Sequence, residues 1–193
     1  IVDVVPDEYG WTVIVPGFGF MRDVFPEPYI INWQLTRTGA VSSQMPGITV
    51  PFEAFPGTIG VLLGMPETLK IKKREAALAG AGGAVLTPSP GGALPTSICG
   101  KNGTDKDECL RTIPPRENGG NMDVQQMQVG TRILFPCFID GCGLFAGDIH
   151  YAQGDGEVSG TAIEMGTVTT LRVRKIHKGL GAKMDMPATM GND

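Results

Sequence analysis

The chain has 193 residues and a formal charge of −4, with 16 Lys and Arg against 20 Asp and Glu and no long run of either sign. That balance speaks against nucleic acid or anionic lipid held through a basic patch, and no apolar stretch is long enough to span a bilayer as a helix. With 28 Gly and 15 Pro, many turns and few long helices are expected.

No charged segment followed by an apolar one opens the chain. It begins at Ile1, in what reads as mid-strand, which fits a fragment or a processed subunit. Ile1–Val5 reads as a strand ended by Pro6-Asp7-Glu8, and Trp11–Val15 as a second, stopped by Pro16-Gly17. Gly17-Phe18-Gly19-Phe20 is a loop. Tyr29–Leu35 resumes an extended pattern, β-branched and aromatic as strands prefer. Thr36–Gln44 is largely polar, and Ile48–Phe52 alternates again. Phe55–Leu62 is apolar but punctuated by Gly and Pro, a buried loop or short strand rather than a helix. The clear helix runs from Pro66 to Ala79: Pro66 suits a first turn, strong helix formers fill the interior and Gly80 follows as a stop. Its Lys72-Lys73-Arg74 cluster reads as a solvated face.

Residues 81–100, low in charge and rich in Gly, Pro and Ala, read as a loop packed over a surface. From Arg111 to Asp123 two prolines stiffen one side of Arg116-Glu117-Asn118, and Gly119-Gly120 free the other. Asp123 has two readings, a cap on a short helix over 124–127 or a site residue, and Gly119-Gly120 would let main-chain N–H groups approach an oxyanion. Arg132–Ile139 is a buried strand. Thr161–Glu164 and Val168–Ile176 give further strands, the latter with one wet face. His177, between Lys175 and Lys178, reads as a surface residue, and 184–193 has no clear pattern. The fold class is mainly β (β-rich α+β): sandwich or barrel-like sheets, long Gly/Pro loops and one or two short helices.

The four cysteines, Cys99, Cys109, Cys137 and Cys142, form no C-x-x-C. Cys99 and Cys109 bracket a polar insert and would pair if oxidised; free thiols in a reducing compartment are the expectation.

Chemistry concentrates in Gly147–Val158. Between Ile133 and Leu171 there is no Lys or Arg, yet Asp140, Asp148, Asp155, Glu157 and Glu164 fall there, with His150. Residues two apart share a face of a strand, so Asp148 and His150 look one way together, and Asp155 and Glu157 do likewise. Gln153-Gly154 can turn the chain between the two arms. Crowded carboxylates repel, and burying them is costly without a cation or proton. An imidazole beside carboxylates suits a zinc-type divalent ion; all-oxygen ligation without His150 would suit calcium, and a solvated acidic turn would need no ion.

Gly147-Asp148-Ile149-His150-Tyr151-Ala152-Gln153-Gly154-Asp155-Gly156-Glu157-Val158, followed by Gly160-Thr161-Ala162-Ile163-Glu164, closely resembles the signature of the acetamidase/formamidase family. Arg116–Asp123 resembles that family's second signature. Phe55–Val61 and Ile1–Val4 fit earlier family segments less specifically. Members are about twice this length. An N-terminal part with a His-Pro segment and a C-terminal part have no counterpart here, and Ser159 stands where many members carry Cys. The resemblance implies a metal-assisted, homo-oligomeric, cytoplasmic amidohydrolase that takes a small amide, formamide or another short aliphatic one, to the carboxylate and ammonia. Residues 1–193 are then expected to form a single β-rich catalytic region, part of a longer family-type chain.

Within that reading His150 and Asp148 are assigned to the metal, with Asp123 as third ligand. Glu157 is the general base on water and later the proton donor to nitrogen, and Asp155 orients His150 or another ligand from behind. Asn118, Gly119, Gly120 and Asn121 position the amide. The rivals are a thiol amidase using Cys137 or Cys142 and a non-enzymatic metal-binding β-module.

Overall fold

The computed structural model describes residues 1–82, 95–100, 102–106, 108–176 and 184–191. The expectations for most of the Gly/Pro/Ala-rich stretch and for His177 fall outside them.

Strands dominate, in a run β1 (Asp3–Ile14), β2 (Tyr29–Leu35), β3 (Ala40–Val41), β4 (Thr49–Val50) and β5 (Phe55–Val61), then helices α1 (Met65–Gly80) and α2 (Thr96–Cys99), then β6 (Gly119–Asn121), β7 (Arg132–Leu134), β8 (Leu144–His150), β9 (Glu164–Thr170) and β10 (Ala188–Met190). Eight of them form one antiparallel sheet in the order β4-β3-β2-β1-β9-β8-β5-β6, and β10 pairs with β7 apart from it. The β-rich class is borne out, as one large sheet with a two-stranded ribbon.

Pro6-Asp7-Glu8 does not end a strand as expected. β1 runs straight through it, because a register shift against β9 between Pro6 and Gly10 takes up the irregularity that a missing N–H imposes. β5, expected as a loop or short strand, is a strand buried on both faces, flanked by β8 and β6. Asp123 caps no helix: 124–127 is a turn closed by Met127 N–H on the Val124 carbonyl. β7 is shorter than expected, and Leu171–Ile176 belongs to no strand: it is exposed from Arg172 onward rather than wet on one face only. The cysteines are not free thiols. Cys99–Cys109 and Cys137–Cys142 are bridged, with Cα atoms 5.4 and 4.8 Å apart, spacings that suit a disulfide.

The core lies in three clusters around the β5–β8–β9 region. One joins Trp33, Leu35, Ala40, Tyr151, Ala152 and Ile163; a second holds Val4, Ala54 and Ile149; a third holds Phe55, Ile59 and Met127. His150 sits in sequence between Ile149 and Tyr151, both buried in separate clusters. Apolar packing on either side thus fixes the buried imidazole.

The basic cluster on α1 is more than a wet face. Arg74 pairs with Glu117, and on the buried side Arg116 Nε donates to Glu75 Oε1 at 2.6 Å with Nη2 on Oε2 at 3.2 Å. These forks bind α1 to the segment leading into β6. Both partners of the Arg116–Glu75 pair are nearly shielded from water, and breaking such a pair leaves an uncompensated charge. Glu75→Ala should therefore cost roughly 3 kcal/mol or more of stability, read as a lowered urea midpoint; a midpoint unchanged from the parent chain would contradict it.

Candidate metal centre

His150 ends β8 and is 1% exposed. Its ring stacks edge-on to Phe55 at 5.1 Å, and Gly57 leaves the space above Nε2 empty. Four carboxylates converge on that nitrogen. Asp148 Oδ1 lies at 3.5 Å, Glu164 Oε2 at 3.6 Å, Asp123 Oδ1 at 3.9 Å and Glu157 Oε1 at 4.0 Å.

The elements bring these groups in by different routes. Asp148 is two residues before His150 on β8, and His150 lies opposite Glu164 at the start of β9. Asp123 arrives on the loop after β6, held by Met122 and Asp123 N–H groups that both donate to the Gly57 carbonyl at 3.0 Å. Glu157 comes from the turn beyond Gly154, closed by its own N–H on the Gly154 carbonyl. Among the described residues four non-glycine positions have positive φ: Asp123 (50°), Asp148 (54°), Glu157 (44°) and Cys142 (62°). Three of the four belong to this cluster. Each such conformation costs about 1–3 kcal/mol and persists only where the surroundings impose it.

A short polar relay sets the carboxylate orientations. Thr58 Oγ1 lies 2.9 Å from Asn121 Oδ1 and 3.3 Å from Asp148 Oδ2. Asn121 Nδ2 donates to Asp123 Oδ2 at 3.2 Å. Asp123 Oδ2 is thereby satisfied, whereas its Oδ1, buried and facing His150, has no hydrogen-bond partner. On the far side of the ring Nδ1 lies 2.8 Å from Gln153 Oε1.

The electrostatics follow from this crowding. Burial and the neighbouring Asp123 push the Glu157 carboxyl up to about 7. Burial likewise raises Asp123 and Glu164. Asp148 is held below the usual carboxylate range, first by its hydrogen bond to His150. Burial opposes charge on His150, but the Asp148 hydrogen bond and the surrounding carboxylates outweigh it and lift the imidazole to about 9.

A divalent ion fits this donor set. Asp123, Asp148 and His150 offer ligand atoms all within 4.8 Å of one another, and so do His150, Glu157 and Glu164. The orphaned Asp123 Oδ1 is a buried acceptor awaiting a positive partner, and one imidazolium cannot neutralise four carboxylates. Gly57 makes the room: a Cβ there would stand 2.7 Å from His150 Nε2 and 2.8 Å from Asp123 Oδ1. Gly57→Ala should thus lower cation affinity by about tenfold or more, measured by competition with a chelating dye; affinity at the parental value would show that the space is not used.

The structure brings together four of the residues singled out from sequence, His150, Asp148, Asp123 and Glu157, and adds Glu164 and Thr58. Asp155 lies elsewhere, hydrogen-bonded by Gln125, and the group on His150 Nδ1 is Gln153. The Asn118 amide donates to the Val61 carbonyl at 2.7 Å and the Gly119 N–H to the Arg116 carbonyl. Both glycines pair with β5. Of that segment Asn121 alone touches the cluster, through Thr58 and Asp123. In sequence Glu164 belongs to the acidic, cation-free stretch and closes the family-like signature, without a role assigned to it. Beside Glu157 opens a cavity of about 300 Å³ whose walls include Ile14, Met21, Phe25, Val158 and Thr161.

Fold and site together define a β-rich protein with a histidine-centred acidic cluster suited to a divalent ion. Residues 1–191 match the acetamidase/formamidase family, and the chain belongs to it. It is 35% identical over 176 residues to an acetamidase of Mycolicibacterium smegmatis, a span of 86% of this chain and 43% of that protein. With a formamidase of Methylophilus methylotrophus it shares 32% identity over 173 residues, 85% of this chain and 42% of the other. The chain therefore spans less than half the length of these relatives. Among solved structures, a gamma lactamase from Delftia acidovorans matches with a TM-score of 0.75 at 27% identity, over 98% of this chain and 50% of that one. An acetamidase from Bacillus halodurans shares the fold, with a TM-score of 0.59 at 22% identity over 86% of this chain and 42% of its own.

Proposed function

We propose that this chain carries the hydrolytic centre of an amidase, which converts a small amide and water into a carboxylate and ammonia with the help of a divalent ion of the zinc type. The observation that supports it most is the set of four carboxylates on His150 Nε2 with Asp123 Oδ1 left orphaned. Relatives named as acetamidase and formamidase supply the reaction class.

In this reading Asp123, Asp148 and His150 hold the ion. When bound, it supplies Lewis acidity, drawing electron density from an oxygen donor and making both a carbonyl more electrophilic and a water more acidic. Glu157 takes the proton from the attacking water; a carboxyl lifted to about 7 is matched to that task near neutral pH. The same carboxyl then returns the proton to nitrogen, so that ammonia rather than an amide anion departs. Thr58 and Asn121 hold Asp148 and Asp123 at fixed angles, and preset geometry lowers the barrier by removing the need to order groups during reaction. The cavity beside Glu157 offers the substrate a mostly apolar approach. Exposed Phe18, Phe20, Val24 and Phe25 on the segment between β1 and β2 support a homo-oligomeric assembly that covers them. The cytoplasmic location expected from the resemblance stands against the two cystine bridges, which favour an oxidising compartment.

The thiol reading loses its nucleophiles, since among the described residues no cysteine is free. Stripping with a chelator should stop ammonia release from formamide and acetamide, and zinc should restore it. Reduction followed by alkylation should leave it unchanged. The proposal fails if no divalent ion supports turnover, or if alkylation rather than chelation stops it.

A further inference from the structure

We propose that Gln153 is a positioning residue: by spanning the His150 ring and the main-chain carbonyl of Asp123, it keeps the imidazole proton on Nδ1 and reserves the Nε2 lone pair for a cation. The inference deepens the cation-site reading above and rests on it for its consequence, though not for its geometry.

Gln153 Nε2 donates to the Asp123 carbonyl oxygen at 2.9 Å. A carbonyl oxygen only accepts, so the amide nitrogen must occupy that side, whatever the usual ambiguity of amide atoms. Gln153 Oε1 is then the atom left 2.8 Å from His150 Nδ1. It too only accepts, so Nδ1 must donate. A neutral imidazole carries a single N–H. When a cation displaces the proton that Asp148 and its neighbours hold on Nε2, the remaining N–H therefore stays on Nδ1, and the Nε2 lone pair is free to ligate among Asp123, Asp148, Glu157 and Glu164.

This matters because the carboxylates pull the other way. Four acceptors around Nε2 favour a proton on that nitrogen, and in the resulting tautomer His150 could not ligate through it. Gln153 opposes that pull at the only other position a neutral ring offers. The ring is 1% exposed, so bulk water is poorly placed to substitute for the amide oxygen. The same amide ties the loop bearing Asp123 to β8, so two of the residues assigned to the ion move as one. A bond of this kind to the second nitrogen of a ligating histidine fixes its tautomer and orientation. From sequence Gln153 reads as part of a turn inside the family-like signature, with no role of its own.

The test uses Gln153→Met, which keeps the length of the side chain and removes both bonds, and Gln153→Glu, which keeps an acceptor on Nδ1. The sequence has two histidines, so a His177→Asn background leaves one imidazole to follow by NMR with isotope-labelled histidine. In the parent chain the Nδ1 proton should be protected from solvent exchange, and added cadmium should couple to Nε2. Gln153→Met should lose the protected proton and bind zinc about ten- to a hundredfold more weakly in chelator competition. Gln153→Glu should recover most of that affinity. Parental affinity and an unaltered ring proton in Gln153→Met, or cadmium coupled to Nδ1 in the parent, would overturn the proposal. Should Gln153→Met not fold, the parental spectra and Gln153→Glu still decide it. A protected Nδ1 proton in a chain that binds neither zinc nor cadmium would instead sink the cation-site reading and leave the hold of Gln153 on the ring intact.

Discussion

Glu157→Gln should retain its divalent ion and lose about a hundred- to ten-thousandfold in kcat for amide hydrolysis, the range a positioned acid–base group contributes. Gln has the shape of Glu and keeps a carbonyl oxygen 4 Å-scale neighbours can use, but it cannot take up a proton from water. The environment argues for the role. Burial and Asp123 hold the carboxyl up to about 7, and a base poised there is ionised enough to act and basic enough to be worth using. The left-handed backbone at Glu157 (φ 44°) is a conformation that Glu rarely adopts unless imposed. Ammonia release and metal per chain are the two readouts. If metal content falls together with activity, Glu157 belongs to the ligand set and the base must be sought at Glu164, whose Oε1 accepts from the Ala162 N–H at 2.9 Å while Oε2 faces His150. The parental rate should rise with pH as the Glu157 carboxyl loses its proton. A bound cation favours the carboxylate and so shifts that limb below 7.

The parts of this site that sequence reveals are those set by local geometry. Asp148 and His150 are two apart at the end of one strand, and the rule that alternate residues share a face brings them together, even with Asp148 in the left-handed region. The same rule misplaces Asp155. It presumes a second strand, and 154–157 is a turn in which a positive φ at Glu157 replaces alternation. Glu157 therefore enters the cluster while Asp155 turns to Gln125. Glu164 and Gln153 were out of reach for another reason. Glu164 meets His150 because β9 pairs with β8 at that single position, and no spacing along the chain encodes a cross-strand neighbour. Gln153 acts through a carbonyl thirty positions away. The segment around Gly119-Gly120 misled in its chemistry. The two glycines suggest access for an oxyanion, whereas a Cβ at Gly119 would strike the Ile59 carbonyl at 2.5 Å; close pairing with β5 calls for glycine there. Tyr29–Leu35, whose composition and neighbours agree, matches in full.

In the metal-free chain, stability should fall as pH rises from about 5.5 to 8.5, and a zinc-type ion should restore more of it the higher the pH. The imidazole of His150 is lifted from 6.5 to about 9, so its contribution is present in full below 6.5 and is lost as pH climbs through 9. Glu157, lifted from 4.5 to about 7, acts in the same sense: the folded site prefers the proton, and that preference becomes a penalty as pH passes 7. Asp123 and Glu164 are raised too. Within the cluster Asp148 alone runs opposite, with a contribution lost as pH falls below its ordinary 3.8; outside it, burial lowers the Ile1 amino group from 8.0, which offsets part of the fall near neutral pH. For His150 the shift corresponds to about 3 kcal/mol, or a fall in Tm of roughly 10 °C for a chain of this size. Protons and cation compete for one set of acceptors. At low pH the site is neutralised by protons and an added ion stabilises little; at high pH the carboxylates stand bare and it stabilises most. Thermal unfolding with a chelator and with zinc, at both ends of the range, gives the four numbers needed. Equal gains from zinc at the two pH values would mean that the ion binds somewhere other than among these carboxylates. His150→Ala should abolish the gain from zinc and leave the metal-free slope to Asp123, Glu157 and Glu164, whose carboxyls the imidazole otherwise holds down.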